Sequence, residues 1–121
     1  MTGESDVRRL ATGLPGVSER TCYGLPGFYV ARKIFARIHE MPGVVVLWLA
    51  DPGARQTLLD ADPEKFFTTE HYAGHMSVLA RLDRLDTDEL GELLTEAWFA
   101  RAPKRLRDRA ERDTRPSGRS L

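Results

Sequence analysis

Apolar positions in the first half of the chain recur with the spacing of a helix and then with that of strands. The spacing i, i+3, i+4, i+7 predicts a helix from about Ser5 to Thr12. The apolar residues with this spacing are Val7, Leu10, Ala11 and Leu14. Period-two alternation predicts strands at Phe28 to Val30 and, half-buried, at Ile34 to Glu40. The segment Val44 to Leu49 is apolar at every position, which predicts a central strand.

The second half begins with a helix-start signal and ends with the most regular helical pattern of the chain. A proline directly after Asp51 predicts a short helix that runs to about Ala61. Strands are predicted at Phe66 to Thr69 and at Met76 to Leu82. Asp86 has the spacing of an N-cap for the last helix, which carries one apolar stripe. The stripe consists of Leu90, Leu93, Leu94, Ala97 and Trp98.

The predicted element order is α-β-β-β-α-β-β-α. Runs of strands flanked by helices indicate an α+β fold, a two-layer sandwich of an antiparallel sheet with helices. The length of 121 residues suits one domain with one hydrophobic core. We expect residues 1–108 to form this domain and residues 109–121 to form a basic flexible tail, because that segment has no apolar periodicity.

Charge is balanced over the whole chain but not along it. The formal net charge is zero, with 18 basic and 18 acidic residues. Residues 104–121 contain seven basic and three acidic residues, a net charge of +4, which leaves −4 on residues 1–103. A net acidic body disfavours a generic DNA-binding surface, since phosphate attraction dominates such binding. Nucleic-acid binding would therefore need a local basic patch or the tail.

The composition predicts a protein that lies in a reducing compartment and does not span a membrane. The longest apolar run, Val44 to Ala50, is much shorter than a bilayer span requires. The first residues are polar and acidic, unlike a signal peptide. The single cysteine, Cys22, has no partner for an internal disulfide. We expect a cytoplasmic protein.

Eight short segments, in order, resemble the MmcQ/YjbR family over about residues 7–107. They combine proline–glycine turns with aromatic and basic residues at characteristic spacings. The segments are Leu14–Val17, Tyr23–Phe28, Lys33–Ala36, Phe66–Thr69, His71–His75, Val78–Leu82, Ala97–Trp98 and Ala102–Leu106.

The resemblance implies a two-layer fold known as "double wing". That fold is similar to the DNA-binding domain of the phage transcription factor MotA and to frataxin-like proteins, and it implies DNA binding. Two positions depart from the family pattern. Family members usually carry a glycine before the lysine, where this chain has Ala31-Arg32-Lys33. Many also carry an aromatic residue where this chain has His75 and Ser77.

The candidate catalytic and metal-binding groups favour a non-enzymatic protein. His71 and His75 are four residues apart, but Gly74 indicates a loop, and Glu70 is the only nearby third ligand, so no metal site is predicted. Cys22 could pair with His71 as nucleophile and base, although a half-buried thiol explains it better. The chain has neither a Gly-x-Ser-x-Gly elbow nor a phosphate-binding glycine loop, and we predict no cofactor.

Two binding sites remain as alternatives, one for DNA and one for a small molecule. We predict that Arg81, Arg101, Lys104 and Arg105 converge where the last helix passes the sheet edge. The full nucleic-acid or anion site is Arg81, Arg101, Lys104, Arg105, Arg107, His71, Tyr72 and His75. The alternative is a ligand pocket between sheet and helices, lined by Tyr23, Phe28, Trp48, Tyr72 and His75. The leading hypothesis is a binding module that contacts DNA, and the sequence leaves the oligomeric state open.

Overall fold

The computed structural model describes residues 2–69 and 76–114. These residues form four α-helices, six strands and a short 3-10 helix, Leu82–Arg84. The helices are α1 (Glu4–Thr12), α2 (Pro52–Ala61), α3 (Thr87–Arg101) and α4 (Lys104–Thr114). The strands are β1 (Val17–Cys22), β2 (Leu25–Val30), β3 (Lys33–Ile38), β4 (Val44–Trp48), β5 (Phe66–Phe67) and β6 (Ser77–Arg81).

The six strands form one antiparallel sheet in the order β1-β2-β3-β4-β6-β5. Short hairpin connections join β1 through β4, so neighbours in sequence are neighbours in the sheet. The strand β4 lies between β3 and β6, which confirms the predicted central strand. The α+β fold class is likewise confirmed.

One face of the sheet carries the main core. Val45 and Leu47 of β4 pack with residues of α1 and α3 on this side, which we call the helix face. Trp98 of α3 is fully buried there, and its Nε1 donates a hydrogen bond to the carbonyl of Pro15 at 2.9 Å. The apolar stripe predicted for the last helix is therefore confirmed. Val44 and Val46 point to the opposite side, the back face, where they form a smaller cluster with Leu79.

The strand β1 was not predicted from the sequence. Four of its six residues are exposed, because it is an edge strand and its side chains are mostly polar. Backbone pairing with β2, from Val17 opposite Val30 to Cys22 opposite Leu25, makes it a strand. The strand predicted from Phe28 consequently begins three residues earlier, at Leu25.

A bulge alters the predicted alternation in β3. Phe28 pairs with Ala36 while Tyr29 pairs with Ile34, so Phe35 is the extra residue of the longer strand. Phe35 and Ala36 are adjacent, yet both belong to the main core. The strand is thus more deeply buried than a half-buried alternation predicts, with its last four residues all buried.

The helix α4 was not predicted, and it extends into the segment expected to be a flexible tail. It follows Pro103 and continues without a break across residue 108, the predicted domain boundary. Ala110 is buried, and Leu106 packs against the core. A Cβ on Gly16 would lie 3.2 Å from Leu106 Cδ1, so the turn after α1 and α4 are in close contact. Two apolar residues four positions apart form a stripe too short to recognise in a charged segment.

Candidate functional site: an arginine–aromatic face on the sheet

On the helix face, the side of the sheet that the helices cover, two grooves between helices are bordered by acidic residues. A groove of about 720 Å³ lies between α1 and α3, with Leu10, Leu14 and Gly91 among its apolar lining. The carboxylates along this groove are those of Asp88, Glu92 and Glu96 on α3, and Arg9 is the cation on its α1 side. A second groove of about 450 Å³ lies between α2 and α3, and Glu92 and Glu96 line it too. These carboxylates repel polyanions from the two grooves.

The back face presents arginines stacked on aromatic rings. Three such pairs lie among the described residues, and we call this surface the arginine–aromatic face. The guanidinium carbon lies 5.8 Å from the ring centroid in Arg20–Tyr29, 5.9 Å in Arg37–Tyr23 and 4.1 Å in Arg81–Phe67. These distances fall within the range of cation–π contacts.

Strand register explains why residues distant in sequence share this face. Directly paired residues project from the same side of a sheet. One row of partners runs Arg20, Gly27, Arg37, Val46, Leu79 and Phe67. Its centre, Val46 and Leu79, is buried in the small apolar cluster, while Arg20 at one end is exposed. Arg81, two residues after Leu79, lies on the same face of β6.

Gly27 lets the first two strands approach at this row. A Cβ at this position would lie 3.1 Å from Cys22 Cβ and 3.2 Å from Tyr29 Cε1. Burial of the Tyr29 phenol raises its pKa above the usual range, and a hydrogen bond with Cys22 raises the pKa further.

Arg37 is the buried cation of the face. Its side chain is 4% exposed, and its NH2 group donates a hydrogen bond to Glu40, whose side chain is 64% exposed. The hydrogen bond from Arg37 holds the pKa of Glu40 below its ordinary value. The ion pair fixes the guanidinium beside the Tyr23 ring.

Tyr23 itself occupies a strained turn. It joins β1 to β2 together with Gly24, and the φ angles of 52° and 83° fit a type I′ turn. The next hairpin has the same form, with φ 48° at Ala31 and 71° at Arg32. The residues that replace the usual family glycine thus adopt left-handed backbone. Tyr23 is 90% exposed, the highest exposed fraction among the large hydrophobic side chains that the structure describes.

The structure separates Arg81 from the other predicted DNA contacts. Arg81 pairs with Val44 at one end of the sheet and points to the back face. Arg101 donates from Nε to the carbonyl of Ile34 at 3.0 Å, which places it at the opposite end. The predicted convergence of Arg81 with the cations around α4 is therefore not what the structure shows, because the strand register sets them apart.

The basic residues of α4 differ in their hydrogen-bond partners and in their exposure to solvent. Lys104 Nζ donates to Asp108 Oδ2 at 2.6 Å within the helix. Arg105 is exposed and Arg107 is half-buried. The loop residues of the predicted nucleic-acid site, His71, Tyr72 and His75, lie outside the described residues.

The residues of the predicted ligand pocket do not share one cavity. Phe28 is fully buried in the core beneath the helix face, whereas Trp48 packs on the back-face cluster. Tyr23 stands in the exposed turn. Tyr72 and His75, the remaining two, again fall outside the part of the chain that the structure describes. Phe28 is on the same side of the sheet as Leu47, because Ala36 pairs with both. Trp48 directly follows Leu47 and therefore points to the other side, so one pocket cannot contain both Phe28 and Trp48.

Sequence reasoning missed Arg20, Tyr29 and Arg37 as members of one surface. Their contacts depend on pairing of β1, β2 and β3, and β1 was not predicted. A two-residue turn at Tyr23-Gly24 between two six-residue segments was the available signal.

The described residues contain neither a metal-ligand cluster nor a membrane-spanning helix. Within residues 2–69 and 76–114, no three His, Cys, Asp or Glu side chains are grouped so that they could hold a metal ion. None of the helices described is both long and apolar enough to cross a bilayer.

The family model YjbR matches residues 12–100. The chain belongs to the YjbR family. Its curated relatives include the uncharacterised proteins Rv2570 of Mycobacterium tuberculosis and Mb2600 of Mycobacterium bovis. Each is 32% identical over 118 aligned residues, which cover 84% of this chain and 89% of the relative.

A solved structure gives the same fold for this YjbR protein. The crystal structure of Deinococcus radiodurans protein DR2400, a DUF419 domain, superposes with a TM-score of 0.68. The identity is 23%, over 81% of this chain and 77% of that chain. The likeness supports the α+β architecture.

Proposed function

We propose that this YjbR-family chain is a non-enzymatic binding module that contacts nucleic acid through its arginine–aromatic face. One observation carries the proposal: arginines stacked on aromatic rings are grouped on the back face. The helix face side carries the carboxylates of the grooves as well as the cations of α4, of which Lys104 is paired with Asp108. A chain with no net charge binds a polyanion through a local group of cations.

Both components of nucleic acid have a counterpart on this face. Guanidinium groups bind phosphate through paired N–H donors, and they stack on planar rings. Arg20 is exposed beside Tyr29, and Arg81 lies over Phe67 at the far edge of the sheet. Few such cations are available, so we expect weak binding with a modest salt dependence.

The experiment compares two pairs of cations. Binding of a fluorescently labelled oligonucleotide is measured by anisotropy at two salt concentrations. The test variant is Arg20→Ala with Arg81→Ala on the back face. The matched control is Lys104→Ala with Arg105→Ala on α4, which removes the same charge from the surface predicted from the sequence. Circular dichroism melting confirms that both variants are folded.

We expect the test variant to lose affinity and the control to keep most of it. Removal of two phosphate contacts should make the log–log salt slope shallower by about 1.4 on single strands and 1.8 on duplexes. Affinity lost in the α4 variant alone would move the site to α4 and contradict the proposal. Failure of the wild-type protein to bind any oligonucleotide at low salt would also contradict it.

Small-molecule binding is the second candidate, favoured by the groove between α1 and α3. Its volume of about 720 Å³ lies within the range of ligand sites, and Leu10 and Leu14 contribute apolar surface between the charged residues of its lining. Gly91→Leu would fill the floor of the groove beside Leu10. If the groove takes apolar ligands, the fluorescence of Nile red should rise with the wild-type protein and much less with this variant. Equal fluorescence with both proteins would count against a site there.

A further inference from the structure

Tyr23 combines backbone strain with exposure that the fold does not explain. Its φ of 52° is in the left-handed region, which is unfavourable for a bulky residue. Asparagine followed by glycine is the preferred pair for this turn type, and Gly24 already occupies the second position. The ring is 90% exposed, so burial does not offset the strain. Strain retained without a packing gain points to a functional role.

The neighbouring turn shows that left-handed backbone alone does not distinguish Tyr23. Ala31 has almost the same φ, 48°, in the same position of the same turn type. Ala31 has only a methyl group there, whereas Tyr23 holds a ring in solvent beside the Arg37 guanidinium. The ring, rather than the turn, is therefore the feature that requires an explanation.

We infer that Tyr23 stacks on an unpaired base and that the arginine–aromatic face takes single-stranded nucleic acid. This inference rests on the proposed function and specifies its partner. In a duplex both faces of an interior base are covered by neighbouring bases, while an unpaired base offers a face to a protein ring. The exposed ring of Tyr23 offers the complementary surface. Arg20, exposed beside Tyr29 on the adjoining strand, is the phosphate partner.

The small number of cations also favours a single strand. The described part of the face carries Arg20, Arg37 and Arg81. Arg37 is already paired with Glu40, and Arg81 donates to the carbonyl of Glu64 at 3.2 Å. Duplex binding depends chiefly on neutralising closely spaced phosphates. Binding to a single strand adds base stacking, which tolerates any sequence.

The decisive variant is Tyr23→Asn, because stability and binding should change in opposite directions. The substitution places asparagine before Gly24, the preferred pair for a type I′ turn. This gain exceeds the contact of the exposed ring with Arg37 that is lost, so the melting temperature should rise by about 2–5 °C. Loss of one stacked base should weaken single-strand binding by about tenfold. Ala31→Asn is the matched control, since it places asparagine at the same position of the other turn and should leave the affinity unchanged. Tyr23→Phe should retain most of the affinity.

The ligands are oligonucleotides of about 12 nucleotides: single-stranded dT, single-stranded rU and a DNA duplex of equal length. We expect either single strand to bind at least several-fold more tightly than the duplex, and the comparison of dT with rU identifies the sugar preferred. Equal or tighter duplex binding, or unchanged affinity of Tyr23→Asn for the single strands, would overturn the inference and leave the proposed function standing. Absence of binding to all three ligands would overturn the proposed function itself.

Discussion

The two faces of the sheet differ in depth of packing and in the polarity of their side chains. Under the helix face, residues of α1, α3 and α4 form one continuous core with the strands. On the back face the buried cluster consists of Val44, Val46 and Leu79, flanked by Trp48 and Phe67, with arginines around it. The packing that stabilises this domain therefore lies mainly on one side of the sheet, and its candidate binding groups lie on the other.

That separation has a physical cause in the strands themselves. Successive residues of β4 supply both faces, so one apolar strand serves two different clusters. The helices cover one face of the sheet. On the other face, only a few apolar side chains pack together, and they bury the centre of that face. Polar groups can remain near a small cluster at lower cost than inside a large core, because part of each side chain still reaches solvent.

The largest expected effect compares one tryptophan on each face. Trp98→Ala removes a fully buried ring and leaves the Pro15 carbonyl without its indole donor, so the free energy of unfolding should fall by about 3–5 kcal/mol. Trp48→Ala, at a half-buried position on the back face, should cost only about 1–2 kcal/mol. Urea denaturation measures both. Equal losses would show that the two faces contribute alike.

A pair of truncations tests how far the helix-face core extends. A chain that ends after Pro103 loses the contacts of Leu106 and Ala110, and its free energy of unfolding should fall by about 2 kcal/mol. A chain that ends after Thr114 keeps both residues, so we expect it to be as stable as the full chain. If thermal unfolding shows the longer of the two truncated chains to be destabilised, residues 115–121 belong to the folded domain.

Gly91→Ala should stabilise the helix-face side. Gly91 lies inside α3, where glycine is unfavourable by about 0.5–1 kcal/mol relative to alanine. An added Cβ would meet Leu10 Cδ2 at 3.8 Å, an ordinary contact, so the substitution fits. The midpoint of urea unfolding should therefore rise without a change in oligonucleotide affinity. A lower midpoint would indicate that the α1–α3 packing is tighter than these distances imply.

The smallest expected effect concerns the ion pair of the back face. The pKa of Glu40 is below its ordinary value of 4.5 in the folded chain, because Arg37 donates to its carboxylate. A lowered carboxyl pKa means that the pair stabilises the fold above about pH 4.5 and that this contribution disappears as the pH falls through the folded pKa. Glu40→Gln should thus cost less than about 1 kcal/mol at pH 7.

The pH profile provides the check on that pair. The difference in unfolding free energy between the wild type and Glu40→Gln should shrink below pH 4.5 and vanish in stronger acid. A difference that stays constant over the whole acidic range would show that the substitution acts through packing rather than charge. Glu92→Gln, at an exposed position of α3, provides a control that removes a surface carboxylate in the same way.

Local patterns predicted the elements whose residues carry their own signal. The cap at Asp86 accepts a hydrogen bond from the Glu89 amide, as its spacing predicted. Asp51 caps α2 in the same way, through the Ala54 amide. The continuous apolar run of β4 likewise identified the central strand. In each case the information lies within one helical turn or one short strand.

The sequence by itself determined the α+β class, the central strand and the buried stripe of α3, because helix periodicity and strand alternation are local. The tertiary structure decided which distant side chains meet. Arg20 and Arg37 share a face with Tyr23 only because β1 and β3 flank β2 in a particular register. The bulge at Phe35 and the docking of α4 were decided in the same way. Backbone pairing and core contacts between distant segments have no local periodicity, so only the folded chain reveals them.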